Sequence, residues 1–134
     1  MTLTFEWYDR QLGAPTVTVA EYGLVFNESA IRTLGKPGRV MLGFDKRELV
    51  IAVKALMGTE SLNSRSFPFA ERIRGGFARI NSKDFVRYIS LYLPQPITKG
   101  VRCIARWDEE KKLMMIDLRQ ALDIEGTESV SSAN

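Results

Sequence analysis

Two stretches, "VFNESAI" at Val25–Ile31 and "RINSKDF" at Arg79–Phe85, share one pattern and lie fifty-four positions apart. In each, Asn and further polar residues separate two bulky apolar residues that stand five positions apart. An Asn side chain can accept a hydrogen bond from an unpaired backbone N–H at a helix start. Apolar residues just before such a cap and at the fourth helical position pack together as a hydrophobic staple. The pattern therefore predicts two helix starts, capped by Asn27 and Asn81.

The first predicted helix is short. Phe26 and Ile31 would form its staple, Gly35 stands where a left-handed residue often ends a helix, and Pro37 prevents its continuation. About two helical turns fit between these signals. The following "RVMLGFDKRELVIAVKAL" predicts a strand, a polar turn at 45–48 and a second strand.

The second predicted helix is longer. Ile80 and Phe85 would form its staple, and the helix would continue to about Tyr92, before Pro94 and Pro96 end it. The following "VRCIARWDEEKKLMMIDL" again predicts a strand, a polar turn and a strand. A second hairpin therefore follows the second helix.

The two units have the same order, strand–helix–hairpin, which indicates an internal repeat. Arg39 aligns with Arg102, Asp45 with Asp108, and Leu49 with Leu113 after one extra turn residue. The alternative is that two such segments arise by chance in an α+β domain. We expect a mainly-β α+β domain in which two strand–helix–hairpin repeats form a barrel with short helices.

One compact domain is expected from 134 residues. "LTFEWYD" and "TVTVAEYGLVF" predict a short and a longer strand before the first helix. The stretch between the units is too polar for a regular element, apart from the apolar "FPFA". The predicted divisions are an N-terminal hairpin at 1–21, a first repeat at 22–56, a basic linking loop at 57–76, a second repeat at 77–122, and a flexible tail at 123–134.

Composition argues against several classes of function. The chain has no His and a single Cys, Cys103, which lies in an alternating apolar run and is interpreted as a buried small hydrophobe. Ser-His and Cys-His nucleophile pairs and the usual zinc ligand are therefore excluded. We expect no enzymatic activity, cofactor, metal or small-molecule substrate. The lone Cys and the absence of a signal segment or membrane span predict a cytoplasmic protein.

Charge is distributed unevenly along the chain. Residues 1–61 carry seven basic and seven acidic side chains, whereas residues 62–103 carry eight basic and two acidic ones. Residues 104–134 carry four basic and seven acidic ones. The overall net charge of +3 therefore combines a basic middle with an acidic end.

The stretch "GLVFNESAIRTLGKPGRVMLGFDKRELVIAVK", above all "RTLG" at Arg32–Gly35 and the hairpin after it, resembles the AbrB-like swapped-hairpin regulators. In that family two strand–helix–hairpin units interleave their hairpins into one small barrel, usually as a DNA-binding dimer. The resemblance implies that a chain with two units builds such a barrel alone, as the tandem-repeat MraZ-like relatives do. Asn27 and Asn81 stand where the family has Pro, and the MraZ-like Asp-x-x-x-Arg signature is missing.

We therefore expect a transcriptional-regulator-like protein that binds double-stranded DNA through backbone phosphates. The alternative is a non-catalytic module for protein interaction or homo-oligomerisation, which would use edge strands or the apolar patch Phe67-Pro68-Phe69. Aromatic residues, among them Trp7, Trp107, Tyr22, Tyr88 and Tyr92, are expected to pack in the core. The candidate DNA-binding residues are Arg32, Lys36, Arg39, Arg65, Arg72, Arg74, Arg79, Lys83 and Arg87.

Overall fold

The computed structural model describes residues 2–7 and 13–122. The predicted flexible tail at 123–134 lies outside these residues. Nine strands are present in the described part: β1 (Thr16–Ala20), β2 (Gly23–Phe26), β3 (Arg39–Asp45), β4 (Val50–Leu56), β5 (Phe67–Pro68), β6 (Ile73–Arg74), β7 (Phe77–Asn81), β8 (Val101–Asp108) and β9 (Leu113–Asp117). The α-helices are α1 (Glu28–Leu34), α2 (Lys83–Ser90) and α3 (Leu118–Ala121), and 3₁₀ helices span Gly58–Leu62 and Ala70–Arg72.

All nine strands form one antiparallel sheet in the order β5-β3-β4-β9-β8-β1-β2-β7-β6. The sheet curls into a half-barrel, and the fold is mainly β, as the sequence predicts. Alternate residues of the strands point into a single core, because successive side chains of a strand face opposite sides. Phe26, Ile31, Leu34, Ile80 and Ile89 are among the residues buried in this core.

The N-terminal region departs from the predicted strands. Residues 2–7 form no strand, and the single strand predicted over 16–26 is instead the hairpin β1–β2, closed by the pair Ala20–Gly23. Gly23 has a φ of +152°, and a Cβ there would lie 1.9 Å from the backbone oxygen of Ile80. Only glycine fits this position, where the chain turns back against β7.

Helix α1 begins and ends as predicted. The Asn27 Oδ1 atom accepts hydrogen bonds from Ala30 N at 2.9 Å and from Thr16 N at 3.0 Å, so one side chain caps α1 and ties it to β1. Gly35 ends the helix in the left-handed conformation, with a φ of 85°. The staple residues Phe26 and Ile31 are both buried.

Helix α2 begins one residue later than predicted, so the Asn81 cap and the second staple are wrong. Asn81 is the last residue of β7 and pairs with Gly23, which holds it in the sheet. Ser82 is the cap, since its hydroxyl accepts a hydrogen bond from Phe85 N at 3.2 Å. The fourth helical position is therefore Val86, which is buried, while Phe85 is only half-buried. The helix ends at Ser90, before the expected Tyr92.

The hairpins β3–β4 and β8–β9 have turns of equal length, so the extra turn residue predicted for the second hairpin is wrong. The closing pairs are Asp45–Val50 and Asp108–Leu113, each separated by four residues. Each Asp Oδ1 accepts two backbone N–H groups of its turn at 2.9–3.0 Å. Left-handed residues end both turns, Leu49 with a φ of 59° and Lys112 with a φ of 57°. Leu49 therefore corresponds to Lys112.

The linking segment 57–76 is more ordered than the sequence predicts. It contains two 3₁₀ helices and the short strands β5 and β6, which pair with β3 and β7. Phe69 is fully buried, and its ring meets that of Phe26 edge-on at a centroid distance of 5.1 Å. Phe67 and Pro68 are half-buried. The apolar patch therefore anchors the segment in the core, and its predicted role as an exposed interaction surface is wrong.

Two hairpins cross the predicted division points. The hairpin β1–β2 joins residues assigned to the N-terminal region and to the first repeat, and β6–β7 joins the linking segment to the second repeat. In the part of the chain described, no helix is both long and apolar enough to cross a membrane.

Candidate nucleic-acid interface

Arg79 lies on the outward face of the sheet. It is exposed on β7, opposite Val25 of β2. Its Nη1 atom donates a hydrogen bond to the Tyr22 hydroxyl at 3.0 Å, and its guanidinium carbon lies 5.9 Å from the Tyr22 ring centroid. A guanidinium held over a ring keeps its charge and loses little freedom when it binds an anion.

A second exposed arginine, Arg102, lies on the same face. Arg79 pairs with Val25, Val25 pairs with Thr18, and Thr18 pairs with Arg102. The two arginines therefore lie at opposite ends of a row of four neighbouring residues, one on each of four strands. With neighbouring strands about 4.8 Å apart, this row is roughly 14 Å wide. Arg102 was not among the nine candidates, although the alternation in "VRCIARW" already indicates that it points outward.

A cleft of about 520 Å³ lies between α1 and the turn that joins β6 and β7. We call it the first cleft. Arg32 and Lys36 line it beside Glu28 and the turn residue Gly76. Both basic side chains are exposed. Lys36 follows the helix in a left-handed conformation, with a φ of 52°. The first cleft therefore brings two of the candidate cations together.

A second cleft of about 590 Å³ lies against α2 and the β1–β2 turn. Lys83 and Arg87 line it together with Glu21. Arg87 also approaches Asp84, with 4.0 Å between Nη1 and Oδ1 and both side chains largely exposed. A pair at that distance and exposure leaves the guanidinium available for an anion.

Two other candidates have structural roles. Arg39 is half-buried and donates hydrogen bonds from Nε to the Ser66 hydroxyl at 2.6 Å and from Nη2 to the Ser66 carbonyl at 3.0 Å. It thereby holds the linking segment against β3. The Arg74 Nη1 atom donates to the carbonyls of Glu71 and Ile73, both at 2.9 Å. These contacts leave both residues less available to phosphate than their sequence position suggests.

The remaining candidates, Arg65 and Arg72, are exposed on the linking segment. The nine residues thus do not form one patch. The structure brings together Arg32 with Lys36 and Lys83 with Arg87, and it places Arg79 on the outward face of the sheet.

Several aromatic side chains that the sequence placed in the core are exposed. Tyr88 and Tyr92 of α2 are 44% and 40% exposed, and their rings contact each other and Phe44 of β3 at centroid distances of 5.7–6.0 Å. The Lys46 Nζ atom lies 5.7 Å from the Tyr92 ring centroid. We call these four residues the aromatic patch. The patch joins the second helix to the first hairpin.

Cys103 is buried, as the sequence predicts. Burial raises the pKa of its thiol to about 11, and the nearby Asp117 carboxylate acts in the same direction. A thiol protonated at neutral pH is a poor nucleophile. Within residues 2–7 and 13–122, no three His, Cys, Asp or Glu side chains converge as metal ligands would.

Comparison of the chain with family models, with curated proteins and with solved structures finds no match. The resemblance to swapped-hairpin regulators therefore rests on the residues quoted above alone.

Proposed function

We propose that the chain is a transcriptional-regulator-like protein that binds double-stranded DNA, and that its two repeats form a swapped-hairpin-like barrel. The proposal is supported by a local twofold correspondence between the two units, which relates a basic cleft of the first unit to a basic cleft of the second. This correspondence is seen in the pairing of β2 with β7, in the pairing of β4 with β9, and in the residues that line the two clefts.

The first ladder joins β2 and β7. The hairpins β1–β2 and β6–β7 both have two-residue turns, and their strand positions correspond at a constant spacing of 54. Val25 and Arg79 are 54 positions apart and are also directly paired. An antiparallel ladder in which a residue faces its own counterpart has a local twofold axis at that pair. Arg79 therefore lies beside this axis.

The second ladder joins β4 and β9. Positions in the hairpins β3–β4 and β8–β9 correspond at a spacing of 63, from Asp45 with Asp108 to Val50 with Leu113. Ala52 and Met115 are 63 apart and are directly paired. The spacing grows from 54 to 63 because the second unit has the longer helix and following loop. One pseudo-twofold axis through both central pairs would relate the two repeats.

The two clefts correspond to each other. Five residues that line the first cleft belong to α1 or directly follow it. The five residues found 55 positions later in the sequence line the second cleft. Arg32 thus corresponds to Arg87. The remaining pairs are Glu28 with Lys83, Ile31 with Val86, Gly35 with Ser90, and Lys36 with Leu91.

Duplex DNA suits this arrangement. Its two strands run antiparallel, so phosphates of opposite strands are related by local twofold axes, and proteins with twofold symmetry bind with the axes aligned. Arg32 and Arg87 would each contact one strand. Since such contacts go to phosphate, they supply affinity and salt dependence but not sequence choice. The cytoplasmic location stays a prediction.

The test is binding to random-sequence duplex DNA across a salt series. Each phosphate contact contributes about 0.9 to the slope of log K against log salt. We expect Arg32→Ala and Arg87→Ala each to lower the slope by about that amount, and the double variant by about twice as much. Arg47→Ala, an exposed arginine at the tip of the first hairpin, is the matched control and should leave the slope unchanged.

The salt series distinguishes whether the protein binds DNA at all from whether the two clefts are the phosphate-binding sites. Absence of binding at low salt would reject DNA binding altogether. Binding with a slope that both variants leave unchanged would reject the two clefts as the phosphate sites.

A protein-interaction or oligomerisation module is the second candidate. The exposed aromatic patch favours it, because exposed clusters of apolar rings mark contact surfaces. A chain that shows no retention on DNA but self-associates would support this candidate.

A further inference from the structure

The N-terminal residues Thr2–Trp7 carry an apolar stripe that the fold leaves exposed. Leu3, Phe5 and Trp7 are 68%, 66% and 84% exposed, and the Phe5 and Trp7 ring centroids lie 6.0 Å apart. In a strand, these alternate residues would share one side. We call Thr2–Trp7 the arm. Exposing three large apolar side chains at alternate positions to water costs free energy, which indicates that the arm has a partner.

Strand β3 has an open edge. On the side away from β4 it pairs with β5 only through Arg39 and Val40, which leaves residues 41–45 without a strand partner among the described residues. This is the longest such run in the described part of the sheet. Its five residues nearly match the six of the arm. An open edge offers backbone N–H and C=O groups to an added strand.

The surroundings of this edge suit an apolar strand. Leu42 and Phe44 are half-buried and face the same side as the buried Val40. The exposed Tyr88 and Tyr92 rings stand against Phe44. A strand paired with β3 would place Leu3, Phe5 and Trp7 beside this row, where aromatic cross-strand pairs are favourable. The charge also fits, because Glu6 is the only acidic or basic residue of the arm and Lys46 belongs to the patch.

The position of the arm argues that the strand added to β3 comes from another copy. Ala105 N donates to Pro15 O at 2.9 Å, so the chain before β1 runs beside β8 toward the tip of the second hairpin. The register places Met41 level with Lys54, Leu113 and Asp108, so the open part of β3 begins at this same end of the sheet. It is four strands from β1 in the sheet order, however, and within its own chain the arm forms no strand and leaves its apolar side chains exposed. The arm therefore does not occupy the β3 edge of its own chain.

We propose that the arm of one copy adds to the open β3 edge of a second copy, with Leu3, Phe5 and Trp7 covering its aromatic patch. The partner is a second copy of this chain. This self-association is independent of DNA binding.

The test measures mass and hydrogen exchange over a range of protein concentrations. Sedimentation equilibrium should show that wild type self-associates and that Leu3→Ser/Phe5→Ser/Trp7→Ser raises the dissociation constant at least about 100-fold, because three large apolar contacts are lost. Amide exchange of residues 41–45 should slow as wild type associates, but not in the triple variant. Ile104→Ser, which changes a 68% exposed apolar residue of the outward sheet face, is the matched control and should associate like wild type.

Each other result overturns the proposal. Monomeric wild type would reject the second copy, and protection of residues 41–45 in such a monomer would show that the arm binds its own chain. Undiminished association of the triple variant would reject the arm. Association without protection of residues 41–45 would reject the β3 edge. Tyr88→Glu provides a check from the other side of the contact and should also weaken association.

Discussion

The two hairpins of the chain agree in register and turn, whereas the segments that precede them differ. Both turns begin with an Asp that accepts two backbone N–H groups and end with a left-handed residue. By contrast, α1 is capped by a residue that also bonds to β1, and α2 is capped one residue after its predicted position. The hairpins use local hydrogen bonds, so their geometry repeats with the sequence pattern. The helix starts depend on contacts with the rest of the sheet and differ accordingly.

The largest expected difference between the two predicted repeats concerns Ile31 and Phe85, the residues that the sequence predicts at the fourth position of each helix. Ile31 is 2% exposed, so Ile31→Ala should lower the free energy of unfolding by about 2–5 kcal/mol. Phe85 is half-buried and lies at the third helical position, so Phe85→Ala should cost about 1–2 kcal/mol, since part of its ring is already in water. Urea unfolding of both variants measures the two costs. A Phe85→Ala cost equal to that of Ile31→Ala would contradict the shifted start of α2.

That shift illustrates what the sequence could predict. The cap at Asn27, the left-handed Gly35 and the two polar turns depend on neighbouring residues, and all were predictable from local pattern. Asn81 has the same local signals as Asn27, but pairing with Gly23 extends β7 through it. This pairing joins residues 58 positions apart. It cannot be inferred from either stretch alone.

The predictions for the linking segment and for the candidate site are incomplete for the same reason, which is that both depend on contacts between distant residues. Phe69 fills a core position beside Phe26, a contact across 43 residues that composition does not indicate. Sequence position alone indicates the basic candidates, yet Arg39 is hydrogen-bonded to Ser66, while Arg102 aligns with Arg79 across four strands. Alternation predicts which side of a strand faces outward. It does not predict which strands become neighbours.

A second, pH-dependent difference separates the hairpins. Cys103 in the second hairpin corresponds to Val40 in the first, and both are buried. Burial raises the Cys103 pKa from 9.0 to about 11, so the folded state disfavours the thiolate. The resulting stability is fully present below pH 9 and is lost as the pH rises through 11, by about 2 kcal/mol at pH 11.

The counterpart residue provides the matching experiment. Cys103→Val copies the first hairpin and removes the titrating group, so the variant should lack this part of the alkaline loss. Other groups titrate in the same range, and the difference between wild type and variant isolates the thiol. Urea unfolding at pH 8, 9, 10 and 11 measures it. A constant difference across these values would show that Cys103 titrates alike in the folded and unfolded chains.

The smallest expected difference lies in the left-handed residues that end the two turns. Lys112 is exposed with a φ of 57°, a conformation that costs an L-residue energy and glycine almost none. Lys112→Gly should therefore raise the free energy of unfolding by about 0.5–1 kcal/mol, after the greater freedom of glycine in the unfolded chain is included. Leu49 has nearly the same backbone but is only 8% exposed within the core. Leu49→Gly should destabilise the protein, because the lost packing exceeds the backbone gain. Urea unfolding measures the change in the free energy of unfolding for each substitution. Changes of opposite sign would show that the two turns have the same backbone and differ only in what the residue packs against. Changes of the same sign would contradict the equivalence of the turns.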